Sequence, residues 1–148
     1  MCALDTAVHI LNYEHKCGRK VSCLKLSLLL YFVQAVSLSK AGFAMFADDM
    51  YAEDWGISID TIEARYGVAK DLDIQSTDEA SQSRCSSTEL AIIEETLDAC
   101  ALHSDDSLRD TIFDNAPWQK AMYGVRCDGR AKLGWEDLCE RYCYGHLA

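Results

Sequence analysis

Apolar residues recur at every third or fourth position near the start of the chain and predict an amphipathic helix from Ala3 to Tyr13. The stretch LKLSLLLYFVQA, Leu24 to Ala35, is different because it is apolar on nearly every side of a helical wheel. Such a helix belongs in the centre of a core. Ser22 precedes it where an N-cap residue belongs. We therefore predict a central buried helix over about residues 22–38.

Further segments with a helical period predict a mainly α protein of six or seven helices around this central helix. Residues 41–56 have no such period, and their glycines and aromatics predict either a small β-hairpin or an extended loop. The polar, serine-rich residues 73–87 predict a flexible surface loop. Ser86 and Glu89 have the spacing of a capping box and predict a helix start. The sequence has no internal repeat, so residues 1–148 are expected to form one compact domain.

The apolar segments are too short for a membrane span, which needs about twenty residues. The longest unbroken apolar run is Leu28 to Val33. The N-terminal residues lack the basic and apolar regions of a signal peptide, so a cytoplasmic location is expected. The eight cysteines are accordingly interpreted as thiols in a reducing compartment.

Acidic residues are concentrated in the middle of the chain. The net charge is -10, yet residues 48–114 alone carry four basic and eighteen acidic residues, a balance of -14. Direct DNA or RNA binding is disfavoured, because it requires a basic surface for phosphate contacts. The expected counterpart is a protein partner with a basic surface.

The chain contains no phosphate-binding, nucleophile-elbow or zinc-protease motif. Cys139, Cys143 and His146 would share one side of a final helix over Leu133 to Tyr144, but a structural zinc needs four ligands. Buried thiols beside a surface histidine are the simpler interpretation, and whether these three residues bind metal stays open. No local pattern singles out a nucleophilic cysteine either. We predict no catalytic residues, no metal and no cofactor.

The order of these pieces resembles the Panacea domain family of antitoxins and phage-associated proteins. The similarity lies in ALDTAVHILNY, residues 3–13, and in Ser22 with LKLSLLLYFVQA. It continues through GFAMFADDMYAEDWG, residues 42–56, and LRDTIFDNAPWQKA, residues 108–121. The chain departs from the family pattern at several polar or rigid positions, which are Leu28, Glu53, Ile57, Ile112 and Phe113.

The resemblance implies a protein that neutralises another protein by binding it, usually a toxin encoded beside it. The sequence hypothesis is therefore a non-enzymatic, antitoxin-like inhibitor. Trp118 is expected either to anchor an interface or to wedge between short helices in the core. Residues expected near the binding surface are Asp48, Asp49, Glu53, Asp54, Trp55, Asp60 and Glu63.

The alternative hypothesis keeps inhibition and changes the target. In it, the chain is a phage or mobile-element anti-defence protein, similar in role to an anti-CRISPR. Its carboxylates would occupy the place of nucleic-acid phosphates on a host effector, so that the acidic surface mimics DNA. A third possibility, an enzyme or metal protein built on the cysteines, rests on no recognisable motif. The oligomeric state is not predicted.

Overall fold

A computed structural model describes residues 1–69, 73–74, 84–124 and 130–142, and within them the protein is mainly α with one small sheet. This confirms the predicted fold class. The helices are α1 (Ala3–Lys16), α2 (Cys23–Val36), α3 (Asp60–Tyr66), α4 (Ser87–Cys100), α5 (Asp105–Asp114), α6 (Ala116–Tyr123) and α7 (Trp135–Tyr142). The strands are β1 (Tyr51–Glu53), β2 (Gly56–Ser58) and β3 (Ala131–Lys132).

Helix α2 is the centre of the fold, as its sequence predicts. All of its residues except Leu24 and Lys25 are buried, and α1, α3, α4, α5, α7 and β2 pack around it. The Ser22 hydroxyl accepts a hydrogen bond from the Lys25 amide at 3.1 Å, which confirms the predicted N-cap. After Val36 the helix widens into one π-helical turn, Ser37–Ala41, before the chain turns away.

The sequence predicts no apolar segment long enough for a membrane span, yet one helical stretch among the described residues, Cys23–Ala41, has the necessary length and composition. In the fold, 67% of its most apolar window is buried against other parts of the protein. The same apolar residues that give it a membrane-like composition form the protein's own core.

The sheet is antiparallel with strand order β2-β1-β3. Glu53 pairs with Gly56, so Asp54 and Trp55 form a two-residue hairpin turn. Gly56 follows the turn with φ +145°, a conformation that residues with a side chain rarely adopt. The hairpin alternative for residues 41–56 is thereby confirmed. Strand β3, which the sequence does not predict, pairs with β1 through Lys132 and Tyr51.

A buried glutamine on α2 connects the core helix to the segment that leads into the hairpin. The Gln34 side-chain amide donates to the Phe46 carbonyl at 2.8 Å. Its oxygen accepts from the Met45 amide at 2.8 Å and the Phe46 amide at 3.3 Å. These backbone groups belong to no strand or helix, and Gln34 supplies partners that buried polar groups require. The approach to the hairpin is therefore fixed from inside the core.

The described ends of the segment before α4 are held by hydrogen bonds. Residues 73–87 include the predicted flexible loop, of which 75–83 lie outside the described residues. Ile74 is buried, and its amide donates to the Val21 carbonyl at 2.8 Å. The Asp73 carboxylate accepts from the Val21 amide at 2.8 Å. At the end of the segment, Ser86 caps α4 with the predicted capping box.

Candidate protein-binding surface

Three of the residues that the sequence places at a binding surface meet beside the sheet. Asp48, Asp49 and Asp60 line a shallow cleft of about 130 Å³ together with Tyr51, Ile59 and Thr61. They come from the segment before β1 and from the first turn of α3. The fold therefore gathers carboxylates that are up to twelve positions apart in the chain.

Two of these carboxylates are already neutralised from within the protein. The Lys132 ammonium lies 3.2 Å from the Asp49 carboxylate, and the Arg130 guanidinium donates to Asp60 at 2.5 Å. Those hydrogen bonds raise the pKa of Arg130, whose guanidinium also stacks over the Tyr51 ring, 3.9 Å from its centre. Both basic side chains come from β3 and the residue before it. Their pairing reduces the negative field that the cleft presents to a partner.

The other carboxylates near the hairpin stabilise local structure. Asp48 accepts from the Ala3 amide at 2.8 Å, where α1 begins, and from the Thr61 hydroxyl at 3.1 Å. Glu53 accepts from the Ser58 hydroxyl across the hairpin at 2.9 Å. We refer to Asp48, Asp49, Glu53 and Asp60 together as the hairpin carboxylates.

Glu63 lies on α3, away from the hairpin turn. Its carboxylate folds along its own helix, so that a Cβ at Gly67 would stand 2.9 Å from the Glu63 Oε2 atom. Its Oε1 atom is buried without a hydrogen-bond partner among the described residues. The Glu63 carboxylate is therefore turned toward its own helix and not toward solvent.

Asp54 and Trp55 occupy the tip of the hairpin and are exposed, with 38% of Trp55 accessible to solvent. Trp118 of α6 contacts the hairpin beside this turn. Its indole N–H donates to the Glu53 carbonyl at 3.1 Å, and its ring lies 4.6 Å from the ring of Phe113. Trp118 is half-buried. It packs between α5 and β1, and part of its side chain stays accessible to solvent.

The structure identifies a second acidic surface, which the residue predictions omit. Asp106, Asp110 and Asp114 stand four positions apart on α5 and are all exposed. This spacing places them on one face of the helix, while Leu108 and Ile112 are buried. We call these three aspartates the α5 stripe. Their regular spacing opposite two apolar residues was the sequence signal that could have found them.

The α5 stripe has few internal partners. Asp106 lies 3.5 Å from the Arg109 guanidinium, one turn further along the same helix. Among the described residues, Asp110 and Asp114 have no basic side chain within 4 Å. Negative charge on α5 is thus directed to solvent to a greater extent than the negative charge of the hairpin carboxylates.

Of the three residues considered for a metal site on the last helix, only Cys139 is among the described residues. Helix α7 begins at Trp135, later than predicted, because Leu133 still belongs to the segment leaving β3, where its amide donates to the Met50 carbonyl. Cys139 is exposed on α7, while Cys143 and His146 lie outside the described residues. Within the part that the structure describes, no three His, Cys, Asp or Glu side chains are grouped to hold a metal ion.

Two larger open clefts are present, and the first of them shares Asp49 with the hairpin carboxylates. One, of about 490 Å³, lies between Asp49, Lys132 and the start of α7 at Trp135. The other, of about 380 Å³, is formed at the α1–α2 turn by His15, Arg19 and their neighbours. Both clefts mix acidic and basic side chains, so neither presents a field of one sign.

Comparison of the chain with models of protein families, with curated proteins and with solved structures found no match. The resemblance to the Panacea domain family therefore stays a prediction from the sequence motifs.

Proposed function

We propose that the protein is a non-enzymatic inhibitor that binds and neutralises a basic partner protein, in the manner of an antitoxin. The observation that carries the proposal is the α5 stripe, in which Asp110 and Asp114 are exposed and have no basic partner among the described residues. Unneutralised charge aligned on one helix attracts a partner of opposite charge and accelerates its association. The proposed location is the cytoplasm.

The stripe is supported on a rigid base, which favours binding without large rearrangement. Leu108 and Ile112 hold α5 against the core. The Lys25 ammonium of α2 also lies 3.4 Å from the Asp105 carboxylate at the start of the helix. The Ser104 hydroxyl caps the first turn by accepting from the Ser107 amide at 3.1 Å. A preformed surface of this kind loses little conformational entropy on binding.

The hairpin end of the molecule contributes to the proposed surface through Asp54 and Trp55, which are exposed at the turn. Phe113 and Trp118 connect the end of α5 to this turn. Proximity of the remaining residues to a partner stays a prediction; these are Asp48, Asp49, Glu53, Asp60 and Glu63.

A nucleic-acid-binding effector is the alternative target, and the regular spacing of the α5 stripe supports this alternative. Residues four apart on a helix rise by about 6 Å, so the stripe presents a row of evenly spaced negative charges. DNA likewise presents its phosphates as a regular row. An anti-defence protein could use such a row to occupy a DNA-binding site.

The proposal is tested by affinity capture from host cells and from phage-infected host cells, at low and moderate salt. The bait is the whole chain as wild type, as Asp110→Lys/Asp114→Lys, or as Glu95→Lys/Glu136→Lys. Both double variants change the net charge by the same amount at exposed acidic positions. We expect retention of a partner by the wild type and the Glu95/Glu136 control, with loss in the α5 variant.

Equal retention by all three baits would contradict a role for the α5 stripe, and retention of nothing would contradict the proposed function. The identity of the captured protein separates the two targets. A small toxin encoded beside this gene supports the antitoxin proposal. A nucleic-acid-processing complex that duplex DNA displaces supports the anti-defence alternative.

A further inference from the structure

The protein binds an arginine of its own beside the sheet. The Arg130 guanidinium stacks over the Tyr51 ring, 3.9 Å from its centre. It also donates two hydrogen bonds to the Asp60 carboxylate, at 2.5 Å and 3.3 Å. An aromatic face beside a carboxylate suits a guanidinium best, because this planar group stacks on the ring and pairs with both oxygens. The contact therefore shows which side chain this part of the surface recognises.

The two groups that receive Arg130 are held in place by other contacts. Tyr51 begins β1, the middle strand of the sheet, and is paired with a neighbouring strand on each side. Asp60 begins α3, and the hydroxyl of the next residue, Thr61, donates to Asp48 at 3.1 Å. A ring and a carboxylate that keep their places form a preorganised site, which loses little entropy when it is filled.

The contact that Arg130 makes is open to solvent. The Asp60 side chain is 64% exposed and the Arg130 side chain 36%. Exposed ion pairs and cation–π contacts each contribute little free energy, so a competing arginine can replace this one. Strand β3 does not have to move in the exchange, because Ala131 and Leu133 keep it buried in the core. Only the Arg130 side chain has to swing away.

An open cleft gives an incoming side chain access to the same two groups. The cleft of about 130 Å³ described above is lined by Tyr51 and Asp60, with Asp48 beside them. Asp48 accepts from an amide and a hydroxyl, and among the described residues no basic side chain lies within 4 Å of it. Its charge adds attraction for a cation that enters the cleft from solvent.

We infer that Tyr51 and Asp60 form an arginine-docking site, which Arg130 occupies in the free protein and yields to an arginine of the basic partner. The inference rests on the proposed function and deepens it by naming the side chain that the partner inserts. Arg130 is an internal competitor, which restricts docking to segments that bring further contacts. Lysine competes less well, because its ammonium is more strongly hydrated and lacks the planar fork.

The test is an NMR titration of the whole isotope-labelled chain with a capped hexa-arginine peptide at physiological salt. The Thr61 amide reports on the cleft. The Asp110 amide on α5 is the reference, because among the described residues that carboxylate has no basic partner to displace. Arg130→Gln empties the site. Lys16→Gln is the matched control, since it removes the same charge from an exposed position outside the cleft.

We expect hexa-arginine to bind at the Thr61 amide of Arg130→Gln about two- to fivefold more tightly than in the wild type, the factor that an exposed cation–π contact contributes. Lys16→Gln should change this affinity far less. Arg130→Gln/Asp60→Asn, which has the wild-type net charge, should lose the gain. Hexa-lysine should bind Arg130→Gln more weakly than hexa-arginine does. The fold of each variant is checked by its other backbone resonances.

The wild type supplies a measurement that needs no variant. As the peptide saturates, the Arg130 Nε–H resonance should move to the position of a free arginine, together with the shift of the Thr61 amide. The inference is overturned if the Arg130 resonance stays in place after the Asp110 amide has saturated. It is also overturned if Arg130→Gln gains no more affinity than Lys16→Gln, or if the gain survives Asp60→Asn.

These failures are distinct from failure of the proposed function, because the peptide titration needs no natural partner. The captured partner gives the second comparison. Asp60→Asn should retain it less well than the wild type at moderate salt. If the two baits retain it equally, inhibition by binding survives and the arginine-docking site does not.

Discussion

The hairpin carboxylates and the α5 stripe are two acidic regions of one small protein, and the fold treats them differently. Asp49 and Asp60 pair with Lys132 and Arg130, while Asp48 caps the start of α1. On α5, by contrast, Asp110 and Asp114 point their charge to solvent without a basic partner among the described residues.

Acidic composition and acidic surface are therefore separate properties of this protein. A carboxylate that accepts backbone hydrogen bonds or pairs with arginine contributes to folding, and its charge is partly cancelled. A carboxylate that does neither adds repulsion without stabilising the fold. Under the proposed function, such charge serves association with a partner.

The largest effect is expected from Gln34→Leu, which removes the hydrogen bonds between α2 and the segment leading into the hairpin. The variant leaves the Phe46 carbonyl and two buried amides without partners, so we expect it to lower the free energy of unfolding by about 3–5 kcal/mol. Urea denaturation measures this. The matched control is Gln119→Leu, an exposed amide on α6, which should change stability by about 0.5 kcal/mol or less. Equal losses would show that burial of the Gln34 amide has no special role.

A direct comparison of the two acidic regions uses one carboxylate from each. Asp48→Ala removes the acceptor for the Ala3 amide and for the Thr61 hydroxyl. It should cost about 1–2 kcal/mol. Asp110→Ala should change stability by about 0.5 kcal/mol or less, because no described group depends on it. Both free energies of unfolding are measured by chemical denaturation. Equal losses of stability in the two variants would contradict the proposed difference between the acidic regions.

One carboxylate of α4 has an internal role that pH can reveal. The Tyr13 hydroxyl donates to Asp98 at 2.9 Å, and this hydrogen bond raises the pKa of Tyr13 from 10.0 to about 12. The associated stability is fully present below pH 10 and is lost as pH rises through the folded-state pKa. Asp98→Asn should move the pKa of Tyr13 back toward its ordinary value.

The measurement is an NMR titration with labelled tyrosine, assigned through Tyr13→Phe. Asp110→Asn is the control, and it should leave the Tyr13 pKa in place. If Asp98→Asn left the pKa of Tyr13 near 12, the hydrogen bond would not be its cause.

The smallest effect has the opposite sign. Asp114 is the last residue of α5, where the helix dipole disfavours a negative charge. Asp114→Lys should therefore raise the free energy of unfolding by about 0.5 kcal/mol. Asp106→Lys, in the first turn, should lower it by a similar amount. A destabilised Asp114→Lys variant would mean that this carboxylate serves the fold after all.

Sequence patterns predicted the local parts of this fold well. Three predictions depend only on neighbouring residues, and all are confirmed. They are the burial of α2 on nearly all sides, the Ser22 cap and the Ser86–Glu89 capping box. Strand β3 could not be predicted, because two residues carry no periodic pattern and their partner strand lies far away in the sequence.

The candidate site depended on contacts that no local pattern encodes. Arg130 reaches Asp60 across seventy positions of sequence, and Lys132 reaches Asp49 from a similar separation. Without those contacts, the acids near the hairpin and those on α5 look equivalent in the sequence. The spacing of the α5 stripe was readable in advance, whereas its lack of internal partners required the fold.

The central claim is that the α5 stripe, and not acidic charge in general, guides the partner. Its most direct test is the association rate constant of the captured partner, measured at low and moderate salt. We predict that Asp110→Lys/Asp114→Lys slows association about tenfold at low salt, with a smaller effect as salt rises. Glu95→Lys/Glu136→Lys, with the same net charge, should slow it far less. Equal slowing by both variants, or no slowing by either, would contradict the account.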